Sequence, residues 1–298
     1  MERIGNITLY NADCIQVMQS MESESVNVIL TDPPYLYLKN QKLDRPFEET
    51  AFFNEAKRVL KKDGFIVMFG RGTSFYRWNT ILAGLGFKFK EEIVWNKKRT
   101  TSPLLPLMRV HETICIYCKG NKSINRCKIS VFEKYKFEPH KIDRILERIN
   151  TVFGNRKSFE LLKKYYENNE RVYERTKDKF NISRSKNSNL SQNRTIIFAQ
   201  SLEEGTNEAD IISESGDHYT AIHPTQKPVR LLERLLALVS KEGDLVLDPF
   251  CGSGSVAIAA YNMNLGNISI EIDSEYYESA MKRIKEHVKQ LKIKYNEL

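Results

Sequence analysis

The sequence predicts an α/β protein with a doubly wound, mostly parallel sheet. Short apolar runs typical of strands alternate with segments of helical periodicity. Two of these runs, near opposite ends of the chain, each stop at an aspartate, and ligand sites of open α/β sheets lie where strands end. With 298 residues, 41% of them apolar, the chain can bury one substantial core and a smaller appended region.

The N-terminal part alternates between strand and helix patterns. Residues 7–10 and 26–31 are strand-like and flank a short helix at about 15–21. The pattern then predicts a helix at 47–60, a strand at 65–69, a helix at 75–85, and a late pair of strands at 87–95 and 113–117.

The C-terminal part continues the alternation. The pattern predicts, in order, a helix at 229–240, a strand at 245–247, a helix at 256–264, a strand at 268–271 and a helix at 274–292. If the two strands that stop at an aspartate serve one reaction, their ends must lie close together. We therefore expect the two ends of the chain to build one sheet.

The central segment differs in charge and pattern. Residues 121–200 carry 19 Lys or Arg against 9 Asp or Glu, a net of +10, whereas the remainder has a net of −2. Residues 142–149 and 159–166 show helical spacing with basic faces, and the polar run 181–195 is predicted to be a loop. Such a localised basic region is typical of a phosphate-backbone binder, although a solvated lysine-rich surface has the same composition.

The first strand-terminating motif is Asp32-Pro33-Pro34-Tyr35. Proline can neither continue a strand nor donate a ladder hydrogen bond, so the backbone leaves the sheet with fixed φ and outward carbonyls. A carboxylate, bare carbonyls and an aromatic face at a sheet edge suit a flat group that bears an amine, such as a nucleobase. Taken alone, the tetrad also fits a strand that ends in an ordinary proline turn.

The second motif lies at the other end of the chain. An apolar run at 245–247 stops at Asp248 and leads into a turn that contains Gly252 and Gly254. Glycines let the backbone approach a ligand closely at a helix N-terminus. About twenty residues later, Glu271 ends the next strand, where a carboxylate can accept ribose hydroxyls. This spacing indicates a site for a cofactor that contains adenosine.

Together these motifs resemble the amino DNA methyltransferases that use S-adenosylmethionine, in the permuted order of the β group. Residues 32–35 match its catalytic DPPY, residues 223–228 read HPTQKP, and residues 250–254 match its FxGxG motif. The resemblance covers 1 to about 120 and about 218 to 290, and it implies a seven-stranded, Rossmann-like sheet whose last strand is antiparallel to its neighbours. We expect a catalytic and cofactor-binding domain at 1–120 and 218–298, with a mainly helical target-recognition insert at 121–217.

The resemblance also implies roles for individual residues. Asp32, Pro33, Pro34 and Tyr35 are the expected catalytic residues. The expected cofactor-binding residues are Asp13, Cys14, Thr225, Lys227, Asp248, Phe250, Gly252, Ser253, Gly254 and Glu271. In this assignment Asp13 meets the adenine amino group, Glu271 holds the ribose, and Thr225 and Lys227 line the methionine end.

Several further residues stay outside this assignment. Arg109, His111 and Glu112 follow a pattern that the family also shows. The loop at 96–110, with Lys97, Lys98 and Arg99, either closes over DNA or is solvated. The CxxC formed by Cys115 and Cys118 has no partner CxxC, so we expect no metal site.

The resemblance implies a site-specific adenine N6-methyltransferase that acts on flipped-out adenine in double-stranded DNA and releases S-adenosylhomocysteine. Cytosine N4 methylation, RNA adenine methylation and a catalytically silent DNA-binding protein remain alternatives. The family association also raises the expectation of a homodimer and of a companion restriction endonuclease. With no apolar run of membrane-spanning length, no signal-peptide pattern and five cysteines, we expect a cytoplasmic protein without membrane contact.

Overall fold

A computed structural model describes residues 1–35, 45–99, 106–156, 159–160, 162–163, 189–216 and 226–296, with only the backbone at 189–194 and 292–296. The chain forms two compact units, one of residues 1–125 with 209–298 and one of residues 126–208. Residues 121–125 and 209–216 lie within the predicted insert at 121–217, yet they belong to the first unit. In the described part of the chain, no helix is long and apolar enough to cross a membrane.

The first unit contains nine strands among its described residues. They are β1 (Glu2–Ile4), β2 (Ile7–Asn11), β3 (Val26–Thr31), β4 (Leu60–Gly70), β5 (Lys88–Asn96), β6 (His111–Cys118), β9 (Ile211–Ser213), β10 (Leu245–Asp248) and β11 (Gly266–Glu271). They form one sheet in the order β1-β2-β11-β10-β3-β4-β6-β5-β9.

The pairing directions agree with the predicted mixed sheet. Strands β2, β11, β10, β3 and β4 are mutually parallel, whereas β6 is antiparallel to both β4 and β5, as expected for the last strand. The seven predicted strands are present, but the count of seven was too low. Strands β1 and β9 extend the two edges, and at three residues each they are too short to show a strand period.

The pairing of β10 with β3 joins the two chain ends. Val246 and Leu247 lie opposite Val28 and Ile29 in this parallel pair. Because parallel strands end at the same edge, the pairing brings the segment that follows Thr31 next to the segment that follows β10. The two strand-terminating motifs therefore share one edge of the sheet.

Helices cover both faces of this sheet. They are α1 (Cys14–Ser20), α2 (Glu49–Val59), α3 (Gly72–Gly84), α7 (Val229–Val239), α8 (Ser255–Asn262) and α9 (Ser274–Asn296). One apolar cluster joins α1, α2 and α3 to the sheet through residues such as Phe52 and Trp78, and another packs Ile7 and Leu9 of β2 against α8 and α9. Tyr10, the next residue of β2, packs against the first cluster, so alternate side chains of one strand serve opposite faces.

The second unit is a small, mainly helical body. It contains β7 (Lys128–Ile129), β8 (Thr206–Asn207), α4 (Val131–Lys134), α5 (Pro139–Gly154) and α6 (Asn189–Glu203). Strands β7 and β8 are antiparallel, and a cluster of Val152, Leu162, Phe198 and Ala199 forms its core.

The predictions for this central segment had mixed outcomes. Helix α5 contains the predicted helix at 142–149, and much of 159–166 lies outside the described residues. The predicted loop at 181–195 was wrong from Asn189 onward, because α6 begins there. The first residues of α6 are polar without a helical period, and its buried side chains, Ile196, Phe198 and Ala199, come later.

Candidate active site

One cavity of about 780 Å³ opens where the central parallel strands end. Its volume falls within the usual range for sites that hold a cofactor-sized ligand. The predicted site residues that line it are Asp13, Cys14, Asp32, Pro33, Pro34, Tyr35, Lys227, Asp248, Phe250, Gly252, Ser253 and Glu271. Of the remaining two, Gly254 lies in the turn beside the cavity, and Thr225 is outside the described residues.

The proline tetrad is fixed by contacts at both of its ends. The Tyr35 hydroxyl donates a hydrogen bond to Asp32 Oδ1 at 2.5 Å. The Ser74 hydroxyl donates to the Tyr35 carbonyl at 2.7 Å, and the Tyr35 ring lies 6.1 Å from the ring of Trp78. These contacts hold the carboxylate and the aromatic ring without a regular strand beneath them.

A buried chain of alternating charges starts at Asp32. The Lys227 ammonium donates to Asp32 Oδ2 and lies 3.2 Å from Glu112 Oε2. Glu112 Oε1 accepts from the Lys97 ammonium at 2.8 Å. The Lys227 ammonium also lies 5.0 Å from the centre of the Phe69 ring. Two carboxylates and two ammonium groups therefore neutralise one another at the rear of the cavity.

The surroundings shift the pKa values of this network. Burial raises the pKa of Asp32, although Lys227 opposes the rise. Burial acts in the same direction on Glu112, but Lys227 and Lys97 outweigh it and hold the pKa of that carboxyl below its usual range. For Lys227, the two neighbouring carboxylates overcome burial and raise the pKa, so this ammonium stays protonated.

The turn after β10 has the backbone geometry that only glycine adopts freely. Gly252 and Gly254 have φ values of 53° and 75°, and a Cβ on Gly254 would lie 2.9 Å from Ile284 Cδ1. Glu271 Oε2 accepts from the Gly252 N–H at 2.8 Å, and Glu271 Oε1 accepts from the Asp273 N–H at 2.9 Å. The carboxylate at the end of β11 thus ties the glycine turn to the start of α9.

Burial dominates the titration of two further carboxyl groups and two thiols at the site. It raises the pKa of Asp248 to about 8, opposed by a hydrogen bond from the Phe250 N–H, and it raises the pKa of Glu271 as well. Burial also raises the pKa of Cys14 to about 12 and that of Cys251 well above its ordinary value. Both thiols are therefore protonated at neutral pH and are poor nucleophiles.

Asp13 has a structural function at the start of α1. Its Oδ1 accepts hydrogen bonds from the N–H groups of Ile15, at 2.9 Å, and Gln16, at 3.1 Å. This is the geometry of a helix N-cap. The cap places the carboxylate at the cavity wall, and the predicted contact with the adenine amino group stays a prediction.

Sequence reasoning missed several residues of the site. Lys97 was expected in a loop that either closes over DNA or is solvated, yet it is 9% exposed and pairs with Glu112. The ring centres of Phe47 and Phe250 lie 5.1 Å apart, and the Arg45 guanidinium lies 3.0 Å from Asp273 Oδ2. A family pattern had marked Glu112, but no sequence signal connects these pairs, since their members come from separate elements.

Lys227 occupies an unexpected place within the cavity. The family resemblance implies that Lys227 lines the methionine end of the cofactor site. In the structure its ammonium pairs with Asp32 and Glu112, between the proline tetrad and β6. It therefore belongs to the surroundings of the proposed catalytic carboxylate, and the methionine contact remains a prediction.

Comparison with known proteins agrees with this geometry. A family model for DNA methylases of the N6/N4 type matches residues 26–282. The chain is 26% identical to the type II methyltransferase M.HinfI of Haemophilus influenzae, over 94% of this chain and 68% of that protein. It is 25% identical to the type II methyltransferase M2.DpnII of Streptococcus pneumoniae, over 94% and 90% of the two chains.

Solved structures show the same fold. The M1.HpyAVI–SAM complex has a TM-score of 0.54 at 19% identity, covering 93% of this chain and 99% of that one. The cytosine-N4-specific PvuII DNA methyltransferase has a TM-score of 0.58 at 15% identity, covering 97% and 94%. With the family match and the order of its motifs, the chain belongs to the β group of amino DNA methyltransferases, which use S-adenosylmethionine as methyl donor.

Proposed function

We propose that this protein methylates the N6 amine of adenine at specific sites in double-stranded DNA. The observation that supports this proposal best is the shared cavity of Asp32 and Asp248. An acceptor for an amine and an acidic pocket for a cationic cofactor thus face the same space. Asp32 is the expected catalytic carboxylate, and Asp248 precedes the glycine turn.

The residues present fit S-adenosylmethionine. Its sulfonium and amino groups are cationic, and the buried carboxyl group of Asp248 and the partly buried carboxyl group of Glu271 line the cavity. The positive φ values of Gly252 and Gly254 let backbone N–H groups approach a ligand without a Cβ in the way. We infer that Asp248 and Phe250 hold the methionine part and that Glu271 holds the ribose. When bound, the cofactor supplies an electrophilic methyl group whose C–S electron pair leaves with sulfur.

Asp32 would prepare the adenine amine for this transfer. The lone pair of an exocyclic amine is delocalised into the ring, so the nitrogen is a poor nucleophile. A hydrogen bond from one N–H to Asp32 and another to the Pro33 carbonyl would favour a pyramidal nitrogen that points at the methyl group. Hydrogen bonds to a charged group contribute about 1.5–3 kcal/mol each. Tyr35 would stack on the flipped base, while its hydroxyl keeps Asp32 oriented.

The preference for adenine rests on the residue at position 32. Cytosine N4 members of the family more often carry serine where this chain has Asp32. The relatives M.HinfI and M2.DpnII are type II methyltransferases, a description that does not specify the base, so they support the reaction class alone. Double-stranded DNA as substrate follows from the family, and the basic central segment is consistent with it.

Mass analysis of nucleosides tests this proposal. Double-stranded DNA of mixed sequence is incubated with the protein and S-adenosylmethionine that carries a labelled methyl group, and labelled N6-methyldeoxyadenosine is expected. N4-methyldeoxycytidine alone would contradict the base assignment. Label in RNA but not in DNA would contradict the substrate, and no label in either would contradict the activity.

The Asp32→Ala variant tests the proposed mechanism. Methyl transfer should fall by about three orders of magnitude or more, since the acceptor for the amine is lost, while DNA binding should persist. Asp210→Ala is the matched control, because Asp210 is exposed and does not line the cavity. An unchanged transfer rate in Asp32→Ala would refute the role of this carboxylate.

A further inference from the structure

The Lys227 ammonium has two carboxylate partners, and only one of them belongs to the catalytic tetrad. It contacts Asp32 and Glu112, and the Lys227 side chain is 9% exposed. Glu112 lies at the start of β6 and also accepts from Lys97, which directly follows β5. The four charged groups therefore come from four separate parts of the sheet edge.

A buried ammonium group uses part of the hydrogen-bond acceptor capacity of the carboxylates that it contacts. If Asp32 were the sole counter-ion of Lys227, the ammonium would withdraw charge from the carboxylate that must accept from the target amine. A weaker base is also a weaker acceptor. Glu112, a second carboxylate beside the same ammonium, neutralises part of its charge, so that less charge is withdrawn from Asp32. Glu112 also fixes the position of the ammonium relative to Asp32.

We propose that Glu112 is a positioning residue for methyl transfer: it holds Lys227 so that the lysine orients Asp32 without neutralising it. This inference rests on the proposed function of Asp32. Glu112 acts through Lys227, and Lys97 supplies the charge that balances Glu112. Lys97 would thus stabilise the network, whereas Glu112 would determine the rate.

The Glu112→Gln variant separates these roles because it keeps the size of the side chain and removes the charge. The single-turnover rate of methyl transfer should fall about 10- to 100-fold, while the KM for S-adenosylmethionine should change by less than about threefold. Glu2→Gln is the matched control, since Glu2 pairs with Lys285 in an exposed salt bridge on a distant edge strand.

The pH profile gives a readout that a structural role would not change. Among the residues that the structure describes, the charged and titratable groups that act on Asp32 are Lys227, Glu112, Tyr35 and Asp248. Burial raises the pKa of Asp32 and Lys227 lowers it, while Glu112 adds to the rise. Without the Glu112 charge the pKa of Asp32 falls, so the acid limb of the rate profile should move to lower pH by about half a unit or more. An acid limb that stays in place would overturn the inference.

A double variant controls for the loss of stability. Glu112→Gln leaves two ammonium groups against one carboxylate, whereas Glu112→Gln with Lys97→Gln leaves the neutral pair of Asp32 and Lys227. The double variant should regain stability in urea unfolding but keep the low rate. Recovery of the rate together with stability would overturn the inference, as would a normal rate in Glu112→Gln. Absence of transfer by the unchanged protein would instead overturn the proposed function.

Discussion

Asp32 and Lys227 lie 195 residues apart in the sequence, and the lysine ammonium donates to the aspartate carboxylate inside the cavity. The contact joins the segment that ends β3 to the segment that precedes α7. The two segments meet because β10 pairs with β3, and β11 with β2, which closes the two chain ends into one sheet. The permuted order of motifs thus requires a tertiary contact at the site where we place the chemistry.

Loss of this contact should destabilise the fold. Lys227→Gln leaves Asp32 and Glu112 as neighbouring, largely buried carboxylates, 23% and 15% exposed, without their shared cation. We expect the free energy of unfolding in urea to fall by about 3 kcal/mol at pH 7.5, and the loss to shrink at acid pH as the carboxyls protonate. Lys285→Gln breaks an exposed pair and should leave the free energy of unfolding nearly unchanged. Equal effects of the two substitutions would show that the buried network does not stabilise the fold.

Asp248 should make stability depend on pH. Burial raises its pKa to about 8 in the folded chain, against about 3.9 when unfolded. The stabilisation from the bound proton is complete below the unfolded pKa and is lost as pH rises through 8. Asp248→Asn removes this loss, so the variant should be more stable than the unchanged protein by about 1–3 kcal/mol at pH 8.5 and about equal at pH 4. Urea unfolding at both values tests this, and a constant difference would contradict it.

The same group should make cofactor binding depend on pH. A cationic ligand favours the ionised form of Asp248, so binding of S-adenosylmethionine should release a proton below pH 8 and tighten between pH 6.5 and 8.5. Calorimetry in two buffers of different ionisation enthalpy measures this release. Asp248→Asn should bind more weakly, with a flatter pH dependence. Proton uptake by the unchanged protein would contradict the assignment.

Alanine substitutions at three glycines distinguish the cost of backbone strain from the cost of steric conflict. Gly254 and Gly243 both have positive φ, but an added Cβ meets Ile284 only at Gly254 and has open space at Gly243. Alanine should cost about 1–2 kcal/mol at Gly243 and more at Gly254. At Gly84, which ends α3 and also faces open space, alanine should be neutral or stabilising by up to about 1 kcal/mol. Thermal unfolding of the three variants checks this order.

The sequence predicted the elements whose pattern is local. Strands such as Val26–Thr31 and Leu245–Asp248 are short apolar runs with clear ends, and the spacing from Gly252 to Glu271 indicated one cofactor site. The start of α6 was missed because six of the seven residues at 189–195 are polar, while β9 was missed because three residues carry no period.

The ion network was beyond prediction from sequence for a different reason. The charge of Lys97 and Glu112 gives no sign of a partner, and each lies at the end of a different strand. Only the antiparallel pairing of β5 with β6, which sets Asn96 opposite His111, brings them together. The N-cap role of Asp13 was missed too, because the sequence does not distinguish an aspartate that caps a helix from one that binds a ligand.

The basic residues of the second unit should determine the salt dependence of DNA binding. Arg144 and Arg148 are exposed one turn apart on α5, within the segment of net charge +10. If both contact phosphates, replacing them with glutamine should lower the slope of log affinity against log salt by about 2.

Lys282→Gln with Lys289→Gln removes the same charge from exposed positions of α9 and should leave the slope nearly unchanged. Fluorescence anisotropy of a labelled duplex between 50 and 200 mM salt measures both. Equal slopes for the two double variants would assign the binding to net charge alone, and a loss confined to the α9 variant would place the DNA on the first unit.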